Sequence, residues 1–223
     1  MQERNKRPTK AELEEDEFLE WILRAIEYIK QRAQLFIGGA VAIVAVVAIT
    51  SFMQTQQAEA RERAAALLFE ATLADRSGQV DQVILIGQQL VDKFAETPAG
   101  SQGMIVLGNR YFTLGRYADA QRLYQQYLDG KGDQDALVYA AQTGLAACRE
   151  AQGDIQGAAQ DYVRYADENP KNPPSALALM QAARCYGQLG DAPNRRSVLE
   201  RVTRQHPRTP VAQRAREQLN MML

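Results

Sequence analysis

The side chains that most often carry catalysis or bind metals are scarce in this chain. Its 223 residues include one histidine, His206, and two cysteines, Cys148 and Cys185. These three residues do not complete the four ligands of a structural zinc site. The sequence has no serine-hydrolase, P-loop or zinc-protease motif, and the adjacent carboxylates Asp167 and Glu168 fall on different faces of a predicted helix. We therefore expect no enzymatic activity, no metal and no cofactor.

Four glycines recur along the chain at a nearly constant spacing. Gly78, Gly115, Gly153 and Gly190 follow one another at intervals of 37, 38 and 37 residues. A period of about 20–50 residues indicates a solenoid of stacked supersecondary units, each of which buries its apolar face against its neighbours. Each glycine falls where the first helix of a unit is predicted to end, in a turn that glycine accepts without steric cost. The pattern predicts an all-α fold built from helix–turn–helix units.

Prolines mark the helix ends. Pro170 and Pro207 are predicted to stop two second helices, because the proline ring clashes with a continuing helix. Pro193 suits the first turn of its helix, where a missing N–H costs nothing. Residues 209–223 form one more amphipathic helix, which we expect to cap the open end of the solenoid.

Columns of equivalent residues carry a resemblance to a known repeat. The predicted crossing point of each helix pair holds a small residue: Ala71, Gly108, Ala146 and Ala183. Three further columns are filled in only some of the units. One holds the aromatic residues Tyr111 and Tyr186, and one holds the small residues Ala120 and Ala158. The third holds the large residues Tyr124, Tyr162 and Leu199. This pattern resembles the tetratricopeptide repeat. The resemblance implies units at about 64–100, 101–138, 139–175 and 176–208, followed by the capping helix 209–223.

An uncharged apolar segment precedes the repeats. Residues 35–53 contain only Thr50 and Ser51 as polar side chains, and at 1.5 Å per residue these 19 positions span about 28 Å, close to the hydrocarbon core of a bilayer. We interpret the segment as a single uncleaved membrane anchor, which divides the chain into a tail at 1–33, a transmembrane helix at 34–53 and a repeat domain at 54–223. The helix is expected to continue from Gln54 into the first repeat.

The tail before the anchor is predicted to be an amphipathic helix that ends near Arg32. A capping box at residues 9–12 begins it. Apolar side chains gather on one side: Phe18, Trp21, Ile22, Ala25 and Ile29. Such a helix lies on a membrane surface or binds a partner helix, and the sequence leaves both open.

Charge gives the expected orientation and excludes one class of partner. Three basic residues lie just before the anchor and two just after it, and 15 of the first 32 residues are charged. Both features favour a cytoplasmic amino terminus and repeats on the far side, which is the periplasm in a bacterium. In residues 54–223, sixteen arginines and three lysines balance nineteen acidic residues. Without a basic stripe, nucleic-acid binding is not expected.

The resemblance also implies a peptide-binding groove lined by the first helix of each unit. The predicted groove positions are Ile105, Asn109, Phe112 and Thr113 in the second unit, Thr143, Ala147, Glu150 and Ala151 in the third, and Met180, Arg184, Gly187 and Gln188 in the fourth. Only Asn109 matches the family's clamp for acidic chaperone tails, so that type of binding is not expected. The groove suits extended or unfolded segments, or it merely faces solvent.

The order of tail, anchor and repeats is similar to that of the bacterial ancillary subunit of the SecYEG translocon. This resemblance implies a scaffold in the inner membrane for protein export or envelope assembly, with translocon, chaperone or envelope proteins as partners and no small-molecule substrate. Two alternatives stay open: a holdase-like chaperone that binds extended client segments, and a structural subunit of a larger membrane complex.

The two cysteines are predicted to be free. Cys148 and Cys185 each lie five residues before a turn glycine, so they occupy equivalent positions in consecutive units. Neighbouring helix axes are about 8–10 Å apart, whereas a disulfide needs Cα atoms within about 7 Å. We expect two buried thiols that act as small apolar side chains.

Overall fold

The computed structural model describes residues 10–130 and 135–222, except for the side chains of residues 10–18, Ile29, Ala33, Phe36 and Asp135. In this part of the chain the protein is all-helical, as expected. The described residues form ten helices in sequence: α1 Lys10–Gln31, α2 Ala33–Arg76, α3 Val80–Phe94, α4 Pro98–Thr113, α5 Tyr117–Asp129, α6 Asp135–Ala151, α7 Ile155–Glu168, α8 Pro174–Gln188, α9 Ala192–Gln205 and α10 Pro210–Asn220.

The chain divides into two compact units, Met1–Ala58 and Glu59–Leu223. The first contains α1 and the apolar segment 35–53 of α2, which we call the apolar half of α2. As expected, α1 ends just before Arg32 and α2 runs without interruption past Gln54. Thr9 of the predicted capping box and the side chains of Phe18 and Ile29 lie outside the described residues.

In the described part of the chain, one helix is long and apolar enough to cross a membrane. It is α2, over Ile37–Arg76. Its apolar stretch is exposed throughout. Val44, in the middle of that stretch, is 67% exposed. By length and composition alone, this helix is a candidate membrane span.

The second unit is a solenoid of helix pairs. Each helix from α3 to α10 packs against the next, and α4, α6, α8 and α10 also contact one another in sequence. The expected crossing positions are tightly packed, because Ala71, Ala146 and Ala183 have no exposed surface. A Cβ atom on Gly108 would lie only 2.7 Å from Cε1 of Tyr124. Small residues are therefore required where paired helices approach closely.

The four spaced glycines end the first helices in left-handed conformation, as the sequence predicts. Gly78, Gly115, Gly153 and Gly190 have φ angles of 71°, 74°, 93° and 70°. The N–H that follows each glycine donates to a carbonyl five residues earlier, as Arg116 N–H does to Tyr111 O at 2.8 Å. These bonds satisfy carbonyls at the helix end that would otherwise lack a donor.

The helix starts carry signals beyond the glycine spacing. Helices α4, α6 and α8 begin at Pro98, Asp135 and Pro174, a few residues before the expected unit starts at 101, 139 and 176. Thr97 caps α4 by accepting the N–H of Gly100 at 3.0 Å, and proline in the first turn fits because its missing N–H has no helical partner there.

The second helices end where the prolines predict, and one more helix follows them. Helices α7 and α9 end just before Pro170 and Pro207, and Pro193 lies in the first turn of α9. Helix α10 packs on α9, with Ala212 and Ala215 fully buried. Cys148 and Cys185 are free and buried, also as expected.

Candidate functional site

The first helices of three consecutive units line one open cavity of about 760 Å³. Helix α6 contacts α4 on one side and α8 on the other, so a single concave wall is formed by α4, α6 and α8. Eight of the predicted groove positions line this cavity: Asn109, Phe112, Thr143, Ala147, Glu150, Ala151, Arg184 and Gln188. We call this cavity the groove.

Four predicted positions lie elsewhere. Ile105 is packed in the core with 4% of its surface exposed. Thr113 is exposed, and its hydroxyl donates to Arg110 O at 2.8 Å. Met180 and Gly187 line a smaller cavity of about 470 Å³, which shares Gln181, Arg184 and Gln188 with the groove. The two cavities are thus neighbours along α8.

Three tyrosines in the groove wall are absent from the expected groove positions. Tyr124 and Tyr162 come from the second helices α5 and α7, and Tyr139 from the start of α6. The hydroxyl of Tyr124 donates to Oδ1 of Asn109 at 2.7 Å, and Tyr139 packs edge-on against Tyr165 with ring centroids 5.2 Å apart. The column of large second-helix residues that includes Tyr124 and Tyr162 was the available signal for these two positions.

An ion pair between consecutive units lies in the groove wall. The Nη2 atom of Arg184 is 2.6 Å from Oε2 of Glu150, and its Nε atom donates to Oε1 of Gln181 at 2.9 Å. The hydrogen bonds from Arg184 hold the pKa of Glu150 below its ordinary value, and the same bonds raise the pKa of Arg184. Both groups are therefore charged at neutral pH and cancel each other.

The remaining groove surface is neutral. Burial raises the pKa of Tyr124, Tyr162 and Tyr139 above the ordinary phenol value, so all three hydroxyls stay protonated. The other polar groups are side-chain amides and one threonine hydroxyl, which donate and accept hydrogen bonds without charge. This combination suits a ligand with apolar side chains and free backbone amides.

The described residues offer no arrangement for metal chemistry. Within residues 10–130 and 135–222, no group of three or more His, Cys, Asp or Glu side chains is placed to hold a metal ion. His206 ends α9, where its backbone N–H donates to Val202 O.

Comparison with known proteins identifies the fold. No family model matches the chain, and no curated protein does. Among solved structures, one crystal structure of a putative kinesin light chain from Podosopora anserina with nearly identical TPR-like repeats matches with a TM-score of 0.56 and 19% identity. The match covers 72% of this chain and 84% of that one.

Two further structures show the range of the similarity. Another crystal structure of the Podosopora anserina protein matches with a TM-score of 0.54 and 21% identity, over 66% of this chain and 77% of that one. PcrH from Pseudomonas aeruginosa is 24% identical over 56% of this chain and 92% of its own length, with a TM-score of 0.47. The structural neighbours of this chain are TPR-repeat proteins, and the chain has the tetratricopeptide-repeat fold.

Proposed function

We propose that this protein is a non-enzymatic scaffold, tethered to a membrane by the apolar half of α2, whose groove binds extended and uncharged segments of partner proteins. Protein export or cell-envelope assembly is the proposed setting, with translocon, chaperone or envelope proteins as partners. The groove is the single observation that carries this proposal, because it is a concave surface formed jointly by three repeat units.

The groove's dimensions and chemistry support an extended polypeptide as its ligand. A cavity of about 760 Å³ that is open to solvent accepts several residues of a chain. Asn109, Gln181 and Gln188 line the wall and offer amides for backbone hydrogen bonds. The groove tyrosines and the neighbouring phenylalanine offer rings for apolar side chains. Because Glu150 and Arg184 neutralise each other, no net charge in the wall attracts an acidic or a basic segment.

The apolar half of α2 supports the tether. A helix with about 20 apolar residues and no polar face loses little by entering lipid and much by remaining in water. Three basic residues lie just before the anchor and two just after it, which favours a cytoplasmic amino terminus and the repeat domain 54–223 in the bacterial periplasm.

A groove-filling variant tests the binding function. The full chain in phosphatidylcholine nanodiscs is titrated into a labelled, reduced and carbamidomethylated polypeptide that stays unfolded, and fluorescence anisotropy gives the affinity. Gln188→Trp, which places a large ring in the groove, is expected to weaken binding about tenfold, or 1.4 kcal/mol. Gln160→Trp is the control, because Gln160 is an exposed glutamine on α7 that lines neither the groove nor its neighbouring cavity. Equal weakening by both variants, or no binding by the unmodified chain, contradicts the proposal.

The same preparation separates the scaffold from the holdase alternative. A holdase keeps an aggregating client in solution at stoichiometric amounts, whereas a scaffold binds an exposed segment without protecting the client. Light scattering of a heated client, with and without the protein, measures this difference. Suppressed aggregation that Gln188→Trp abolishes would favour the holdase.

Protease accessibility tests the proposed orientation. With the repeats in the periplasm, protease added to intact spheroplasts should digest the chain beyond Gln54. An epitope placed before Arg32 should survive the same treatment. Protection of the repeat domain would overturn the proposed orientation and with it the proposed setting in export.

A further inference from the structure

Helix α1 has an apolar surface that is separate from the groove. Leu19, Leu23 and Ile26 are 54%, 61% and 43% exposed. Their spacing of four and three residues places them on one face of the helix. Three large aliphatic side chains exposed together on one helical face are costly in water, because each is worth about 1.5–3 kcal/mol when it is fully buried.

The polar side of α1 carries more acidic than basic side chains. Glu20, Arg24 and Glu27 follow at intervals of four and three residues, and Nη2 of Arg24 is 2.6 Å from Oε2 of Glu20. Helices that bind anionic lipids electrostatically carry many Lys and Arg residues on this face. The polar face of α1 therefore suits headgroups without net charge, and its attraction to a bilayer would come from the apolar face.

Chain continuity indicates what covers the apolar face. Helix α1 ends at Gln31 and α2 begins at Ala33, so Arg32 alone separates them. The backbone hydrogen bonds continue across this join, from Arg32 N–H to Tyr28 O at 3.2 Å and from Leu35 N–H to Arg32 O at 2.9 Å. The apolar face of α1 is thus attached directly to the start of the segment proposed to enter the bilayer.

We propose that α1 lies in the membrane interface, with its broad apolar side inserted between headgroups and acyl chains; this side runs from Leu19, Leu23 and Ile26 through Ile22 to Trp21. This inference rests on the proposed anchor, because α2 holds α1 at the bilayer surface. Interfacial helices insert their apolar face about 5–10 Å into this boundary. Trp21 and Tyr28 lie on the same helix, and such amphipathic aromatic rings are enriched at that depth.

The single tryptophan of the chain allows a direct test. Trp21 is the only one, so the emission of the unmodified protein reports on α1 alone. The full chain is reconstituted in vesicles of phosphatidylcholine, which contain no other protein. Matched vesicles use the same lipid brominated either high on the acyl chain or near its terminal methyl group. The proposal predicts emission at shorter wavelength than in denaturant, strong quenching by the shallow bromine and weak quenching by the deep one.

Two variants that each add one carboxylate provide a matched comparison. Leu23→Glu places the charge on the apolar face and is expected to reduce quenching by the shallow bromine several-fold. Gln31→Glu places it on the polar side of α1 and should leave the quenching unchanged. Equal effects from the two variants would overturn the proposal, since they would show that neither face is specifically in lipid.

Flotation of the protein with phosphatidylcholine vesicles separates failure of α1 from failure of the anchor. Protein that does not float refutes the anchor and, with it, the interfacial helix. Protein that floats while Trp21 emits as it does in denaturant refutes only the interfacial helix. A third outcome is protein that floats and whose Trp21 emits at short wavelength but is not quenched by bromine. This outcome also refutes the interfacial helix, because another protein surface then covers α1.

Discussion

The apolar half of α2 and the first helices of the repeats use the same small and aliphatic residues in opposite surroundings. In α8, Ala178, Leu179 and Ala182 have no exposed surface. In α2, Val44 and Val47 remain more than half exposed. The difference lies in the other face, because α8 carries glutamine and arginine side chains toward the groove, whereas residues 35–53 have no polar face at all. A helix with a polar stripe packs at the surface of a core, whereas a helix that is apolar all round is either buried in a large core or spans a membrane.

Charged substitutions in the two regions should give the largest and most clearly separated effects. Val44→Arg with Val47→Arg costs about 5–7 kcal/mol on the insertion scale, so the protein should leave carbonate-washed membranes while its repeats melt normally. Val202→Arg buries an unpaired charge in the solenoid core, where Val202 has no exposed surface. It should unfold the repeats and leave membrane retention intact. Circular dichroism and membrane extraction measure the two properties. The same phenotype for both variants would refute the contrast.

Substitutions at tight helix crossings should also affect the two regions differently, but with a smaller loss of stability. Gly108→Leu and Ala146→Leu overpack a filled crossing, which costs about 1–3 kcal/mol, and both should lower the melting temperature of the repeats. Gly38→Leu is the control, because a Cβ atom on Gly38 meets nothing within 4 Å. An unchanged melting temperature for both crossing variants would mean that the helix register is wrong.

The groove ion pair should contribute a pH-dependent amount of about 1 kcal/mol or less, since Arg184 is partly exposed. The folded pKa of Glu150 lies below its ordinary 4.5, mainly through hydrogen bonds from Arg184. The stabilisation is therefore fully present above pH 4.5 and is lost as pH falls through the folded pKa. Urea unfolding of the unmodified chain and of Glu150→Gln should differ at neutral pH and converge in acid. A difference in the free energy of unfolding that grows as pH falls would contradict this predicted pH dependence.

The smallest expected effect concerns the cysteines, where we predict a change in thiol reactivity and no change in stability. Burial raises the pKa of Cys148 to about 11, and burial, followed by Glu150, raises that of Cys185 to about 11. Because the thiolate is the reactive form, alkylation of folded protein at neutral pH should be slow. Denatured, non-reduced protein should titrate two thiols per chain. A count of zero in monomeric protein would show that the two units stack differently.

The repeat architecture was predictable because its signals are local. A glycine at φ 70–93° must end each first helix, and a small residue must lie wherever two helices cross. Such requirements appear directly as residue types at a fixed period. Pro98 and Pro174 carried an equally local signal for helix starts, and using it would have moved the expected unit boundaries to the observed helix starts.

The groove was only partly predictable because its lining depends on helix rotation. Ile105 is one helical turn from Asn109, yet Ile105 packs into the core while Asn109 lines the groove. Positions four residues apart on an α-helix differ by about 40° around the axis, which is enough to exchange core for surface. The pairing of Glu150 with Arg184 spans 34 residues and depends on the stacking of two units. No local pattern contains that distance.

Site-specific photo-crosslinking in membranes tests the central claim most directly, namely that a tethered solenoid binds a partner segment in its groove. A photoreactive phenylalanine replaces Gln188 in one full-length variant and Gln160 in the other, so that an exposed glutamine in the groove is compared with an exposed glutamine outside it. The account predicts crosslinks to the added unfolded polypeptide from position 188 in the membrane fraction, and few or none from position 160. Equal crosslinking from both positions, or crosslinking from position 160 alone, would contradict it.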